Sequence, residues 1–198
     1  MRTKPGCGIE WFLTMDSFDF FMPEKTVILN ASAMDRVLTR IAHEIAERND
    51  HSHAVVIIGV QRGGVHFAER LGNSLQTIWG HPVPVGKLDV SMHRDDLDRQ
   101  LAPNVHLTTI PFDITGKTVV LVDDVLFSGR TTRAALDALN DFGRAQRIQL
   151  AVLIDRGHRE LPIKPDFIGK NVPTSINERI DVRLKEETGE DVVYLEKT

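Results

Sequence analysis

Three strongly apolar runs, residues 54–58, 118–122 and 148–154, constrain this 198-residue chain more than any other feature. A strand with one wet face alternates apolar and polar side chains. A run that hardly alternates is built for burial on both faces. Between the runs, 65–79 and 131–142 carry apolar residues at helical spacing. Strands alternating with helices predict an α/β fold with a central, mostly parallel sheet flanked by helices. Ligands of such sheets bind beyond the carboxyl ends of the strands. The loops beginning at Gly59, Asp123 and Asp155 each follow a strand, so they are expected on one rim.

The remaining segments fit around this frame. Residues 26–29 read as a strand, and Asn30 or Ser32 can cap a helix that runs to about Arg48 and stops at Asn49-Asp50. Residues 83–90 read as a strand, and Gly143 suits the end of the helix before it. The stretch 91–111 is polar and non-periodic and reads as a long mobile loop or hairpin, and long loops in compact domains are often active-site lids. Residues 180–184 and 192–195 are late strand candidates. Met1–Lys25 is expected to be a flexible or loosely docked extension, or a start placed too early with Met15 or Met22 as the true one: Glu10, Asp16 and Asp19 interrupt its aromatics, so it has neither the basic start nor the unbroken apolar stretch of a secretory signal in good form. Hydrophobic residues are 41% and net charge is -4, which argues against a chain coated in basic charge for nucleic acid. No run spans a bilayer, and Cys7 is the only cysteine, so a reducing cytoplasm is the simplest compartment.

The most informative stretch is Val119-Val120-Leu121-Val122-Asp123-Asp124-Val125-Leu126-Phe127-Ser128-Gly129-Arg130-Thr131-Thr132. A buried strand runs straight into two carboxylates. Strand side chains alternate in direction, so both acids are expected at the rim only if the strand ends there. Ionised carboxylates only accept hydrogen bonds, which matches a diol that donates them. Gly129 allows a tight backbone, and the amides at a helix start attract anions. A plain strand, turn and capped helix would account for Ser128 and Gly129, but not for two acids abutting a buried strand. No Gly-Lys-Ser/Thr follows the glycine, which excludes a Walker A loop.

A second glycine-rich turn, Gly59-Val60-Gln61-Arg62-Gly63-Gly64, lies between another buried strand and a helix. Its glycines permit close backbone approach, and Arg62 can pair with phosphate oxygens. Arg94-Asp95-Asp96 opens the long polar stretch.

Together these motifs resemble the type I phosphoribosyltransferases, and the resemblance implies that family's fold, with a small hood at about 155–180 on a domain of 26–198. It implies that Asp123 and Asp124 meet the ribose hydroxyls of 5-phosphoribosyl-1-pyrophosphate (PRPP). Val125, Leu126, Phe127, Ser128, Gly129, Arg130 and Thr131 would then cradle its 5-phosphate, with Gln61, Arg62 and Gly63 at the pyrophosphate. Arg94 would close over the leaving group from the lid. Magnesium is expected to bind mainly through PRPP, without a dedicated side-chain cage.

The match is longest to a subfamily that regulates pyrimidine operons by transcription attenuation and is also a uracil phosphoribosyltransferase. It is carried by Leu38-Thr39-Arg40-Ile41-Ala42-His43-Glu44, by Arg94-Asp95-Asp96-Leu97, and most specifically by Asp155-Arg156-Gly157-His158-Arg159-Glu160-Leu161-Pro162-Ile163. That resemblance implies transfer to uracil giving UMP, with the base read by the main chain near Arg156 and Gly157. It also implies binding of an operon mRNA hairpin through Thr39, Arg40, His43, His158, Arg159, Lys164 and Lys170, sensitivity to UMP or UTP, and a homodimer or homotetramer. His93 and Lys164 depart from the Tyr and Arg usual there. The alternatives are an enzyme without RNA regulation, or a purine phosphoribosyltransferase.

Overall fold

The computed structural model describes residues 25–50, 52–93 and 106–197. The extension as far as Glu24 and the Arg94-Asp95-Asp96-Leu97 segment lie outside the described residues.

The chain opens with strand β1 (Lys25–Asn30) and helix α1 (Ala31–Arg48). Of the two expected caps it is Asn30 that serves, its Oδ1 accepting from Ala33 N at 2.9 Å. Lys25, expected in the extension, pairs with Glu196 as part of β1. Strand β2 (Val55–Val60) leads to α2 (Gly63–Trp79), which ends on Gly80 in the left-handed conformation, and then to β3 (Val85–Leu88). The expected loop 59–64 is thus shorter, because Gly59 and Val60 stay in the strand and Gly63 already starts the helix.

Strand β4 (Thr118–Leu126) precedes α3 (Arg130–Leu139), and β5 (Arg147–Asp155) precedes β6 (Phe167–Asn171). The chain closes with β7 (Glu178–Arg183), the one-turn α4 (Lys185–Thr188) and β8 (Val192–Lys197).

Five strands form a parallel sheet in the order β3-β2-β4-β5-β6. Its three central strands, β2, β4 and β5, are buried on both faces, as their composition demands. In β2, Val55 and Ile57 face the cluster under α1 and α2, while Val56, Ile58 and Val60 face the cluster under α3. Val120 and Val122 of β4 likewise point one way, and Val119 and Leu121 the other. A second, antiparallel sheet in the order β1-β8-β7 sends Leu29, Ile180 and Val193 into the first cluster.

The expected hood needs correction. Phe167–Asn171 within it is the outer strand of the main sheet, parallel to β5. Only two of its five residues are strongly apolar, so its sequence does not read as a buried strand. It also needs Gly169: a Cβ there would lie 2.3 Å from Leu153 O and 2.7 Å from Val37 Cγ1.

The strand order reverses between β2 and β4. The chain moves from β2 outward to β3, then jumps back across β2 to begin β4. The helices that follow β2 and β4 pack on opposite faces, which opens a crevice between the carboxyl ends of these two strands.

Candidate active site

Both glycine-containing motifs lie at this switch point. Contrary to the expectation, the acids do not mark the end of β4. Pairing of β4 with β5 continues to Leu126 and Asp155, whereas pairing with β2 stops at Val122. It is the neighbouring strand that ends, and Asp123 and Asp124 come next along β4 without it. Asp123 is 6% exposed and its Oδ1 accepts from Asp124 N at 3.0 Å. Asp124 is half-buried, and its Oδ1 accepts from Val125 N at 2.9 Å.

The β2–α2 turn meets these acids through its glycines. A Cβ on Gly64 would stand 2.5 Å from Val122 O, and one on Gly63 would strike the Asp124 carboxylate. Gln61 N donates to Leu88 O at 2.9 Å, which ties the turn to β3. The Gln61–Arg62 peptide is cis, and Arg62 is exposed.

The β4–α3 loop is anchored through its carbonyls. Leu126 O accepts from Arg156 N at 3.1 Å, and Ser128 O accepts from Glu160 N and Leu161 N at 3.0 and 3.2 Å. Phe127 O accepts from Arg159 Nη1 at 2.7 Å. This anchoring consumes none of the loop's own N–H donors. Gly129, at φ 92°, turns the chain into α3. Arg130 Nε donates to Glu160 Oε2 at 2.7 Å. Thr131 is half-buried in the first turn, and Thr132 beside it is buried.

Neither α2 nor α3 has a side-chain cap, in contrast to α1. Val65 N donates to Arg62 O and Arg130 N to Ser128 Oγ, so what both helices direct at the crevice is the positive end of the dipole. Two uncapped helix starts beside two carboxylates suit a ligand with phosphates at its ends and a diol between them.

After β5, Asp155 Oδ1 accepts from Gly157 N at 3.0 Å, and Gly157 and His158 both have positive φ, 80° and 56°. Asp155 was not among the expected site residues, although an acid closing a third rim strand is a readable signal. Asp155 Oδ2 also takes the Arg159 guanidinium at 2.6 Å.

Arg159 was expected on the RNA face. Its guanidinium instead points inward, to Asp155 Oδ2 and the carbonyls of Leu126, Phe127, Gly157 and Ile163. Arg40 and Lys170 are partly committed as well. Arg40 Nη2 donates to Ile168 O and Gly169 O at 2.8 and 2.6 Å, and Lys170 Nζ donates to Ile28 O at 3.1 Å. Thr39, His43 and Lys164 are exposed, and His158 Nε2 lies 2.6 Å from Thr174 O. Arg94 lies outside the described residues. No helix among the described residues is long and apolar enough to cross a membrane.

Comparison with known proteins agrees with this geometry. The model of the phosphoribosyl transferase domain matches residues 26–187. A protein named bifunctional protein PyrR from Chloroflexus aurantiacus is 58% identical over 175 residues, covering 88% of this chain and 96% of the relative. Its namesake from a Roseiflexus species is 60% identical over 173 residues, covering 86% and 94%. Among solved structures, hypoxanthine phosphoribosyltransferase from Trypanosoma cruzi in complex with IMP superimposes with a TM-score of 0.64 at 19% identity, covering 87% of this chain and 90% of that one. That likeness speaks for the fold alone. The chain belongs to the phosphoribosyl transferase domain family, within the group of bifunctional PyrR proteins.

Proposed function

We propose that this protein transfers the phosphoribosyl group of PRPP to N1 of uracil, giving UMP and pyrophosphate, and that it binds pyrimidine-operon mRNA to regulate transcription by attenuation. The observation that carries the enzymatic reading is the placement of Asp123 and Asp124 at the switch point, with the backbone of Gly63 against the second acid. The bond from C1 to the pyrophosphate oxygen breaks, uracil N1 bonds to C1, and the N1 proton is lost to solvent. Asp123 and Asp124 hold the ribose hydroxyls and face the positive charge that develops on the sugar. Amides of 125–131 and the start of α3 hold the 5-phosphate. Gln61, Arg62 and Gly63 face the departing pyrophosphate, and Arg94 approaches it from the lid. The main chain of Arg156 and Gly157 reads the uracil edge.

Magnesium fits the chemistry of this donor set. It prefers oxygen ligands and retains waters and substrate phosphates, and the carboxylates at the rim are acceptors only. Bound mainly through PRPP, it neutralises charge on the pyrophosphate. PRPP chemistry and the lone Cys7 fit a cytoplasmic protein, assembled as a homodimer or homotetramer by the family resemblance.

The regulatory reading is supported by the name shared with the PyrR relatives and by exposed Thr39, His43 and Lys164. UMP binding would favour the RNA-competent state by differential affinity. A panel of uracil, hypoxanthine, guanine and adenine with PRPP and magnesium tests the enzyme. Uracil should give the fastest product, and a faster purine would overturn the choice of base. Gel shifts with the operon leader hairpin, with and without UMP, test the regulator. Absence of saturable binding at low salt would leave only the enzyme.

A further inference from the structure

Arg156 and Asp123 are the only ionisable side chains among the buried polar residues of the described chain, and Arg156 is 8% exposed. Its guanidinium carbon stands 4.1 Å from the centroid of the Phe127 ring. Nε donates to Thr174 Oγ1 at 3.1 Å, and Nη2 donates to Glu178 O at 2.8 Å and Ser175 O at 3.4 Å. None of these acceptors is a carboxylate. The Glu178 carboxylate acts on it only through space and does not offset its burial, so the cation is costly to keep and packing alone is a poor reason for it. What it joins is informative. Phe127 belongs to the loop between β4 and α3, Arg156 itself follows β5, and 174–178 leads into β7. One guanidinium thus fastens three segments around the rim.

We propose that the Arg156 side chain is a positioning residue for phosphoribosyl transfer: stacked on Phe127 and bonded to the 174–178 arm, it sets the distance between the sugar-phosphate loop and the backbone that reads the base. The proposal rests on the function proposed above. Its side chain acts through Phe127 rather than on either substrate. Arginine suits the task because its planar fork stacks on a ring while donating in its own plane, which a lysine ammonium cannot reproduce.

The test uses the full-length protein with Arg156→Met, Arg156→Lys, Phe127→Leu and the Arg156→Met/Phe127→Leu double variant. Initial rates are measured against PRPP and uracil. In Arg156→Met, KM for both substrates should rise together by about thirtyfold, the size of a desolvated cation–π contact, while kcat changes by less than about threefold. Phe127→Leu should show the same split. The double variant should be no worse than the more severe single one, because both break one contact. Arg156→Lys should recover little.

A rise in KM for uracil alone would overturn the proposal, since it would mark the side chain as a ligand of the base. Additive losses in the double variant, or KM values within about twofold of wild type, would overturn it too. Should Arg156→Met fail to fold, the Phe127→Leu split decides the matter. A wild-type protein that makes no nucleotide from any base sinks the proposed function itself. An active wild type with unaffected variants sinks only this inference.

Discussion

The Asp124 carboxylate rests on the backbone of the β2–α2 turn: a Cβ built on Gly63 would stand 2.4 Å from Asp124 Oδ2 and 2.7 Å from its Cγ. The two loops of the switch point therefore touch through an acid and a residue without a side chain. Gly63 is not among the glycines with positive φ, so the constraint on it is steric. Gly63→Ala must displace the acid, and a displacement of about 1 Å costs on the order of 10²-fold in kcat/KM. Stability should change little, since alanine is the better helix former at the first position of α2. Steady-state rates and a thermal melt check both halves. Near-normal activity at an unchanged melting temperature would show that the position of Asp124 matters little.

Asp124→Asn separates charge from shape. The amide keeps the volume, and its oxygen can still accept from Val125 N, but it removes the negative charge that the proposed mechanism sets against the sugar. Loss of one preorganised electrostatic group costs on the order of 10²–10³-fold in kcat, so most turnover should vanish while the fold persists. Wild-type turnover in the folded variant would remove Asp124 from the mechanism.

The parallel sheet was legible because burial on both faces leaves a distinctive apolar run, as at Val119-Val120-Leu121-Val122. Strand β6 was not legible, because Gly169 and Lys170 answer to α1 and β1 rather than to strand pattern. The acids were identified from their place after the run, but the reason they reach the rim was not readable. It depends on β2 stopping at the Val122 level, which is a property of the neighbouring strand. Arg159 shows the same limit from the other side. A cation in a charged, Pro- and Gly-rich segment reads as surface, and only the fold shows Asp155 and four carbonyls waiting for it.

Acid should loosen the joint between α2 and the small sheet. Arg70 donates to Glu186 Oε1 and Oε2 at 2.9 and 2.6 Å and to Asp191 Oδ1 at 2.6 Å. Its hydrogen bonds hold the Glu186 carboxyl below the usual range. Burial alone would raise Asp191, but bonds from Arg70 and Lys185 N outweigh it and leave that carboxyl depressed as well. A depressed folded-state pKa gives stability that is complete above the unfolded value and lost as pH falls through the folded one. The melting temperature should therefore decline below about pH 5 and continue falling through the acid range. Asp191→Asn should cost about 2 kcal/mol at neutral pH, as expected for a hydrogen bond to a charged group, and should flatten the acid limb. An unchanged limb would assign acid sensitivity to other carboxylates, of which Asp89, bonded to Ser91 and His106, is the first candidate.

Side chains on the proposed RNA face should separate into two classes by their internal bonds. Lys164 is exposed, so Lys164→Ala should weaken hairpin binding and lower the slope of log K against log salt by about one, with the melting temperature unchanged. Exposed His43 gives a different signature if it contacts a base: His43→Ala should weaken binding while leaving the salt slope alone. Arg40 fastens α1 to β6 through Ile168 O and Gly169 O, so Arg40→Gln should lower both RNA affinity and melting temperature. Fluorescence anisotropy with the leader hairpin across a salt series, paired with melts, distinguishes these outcomes. If Lys164→Ala and His43→Ala both bind as wild type does, the RNA contacts lie elsewhere on the protein and the α1 face is only a solvated helix surface.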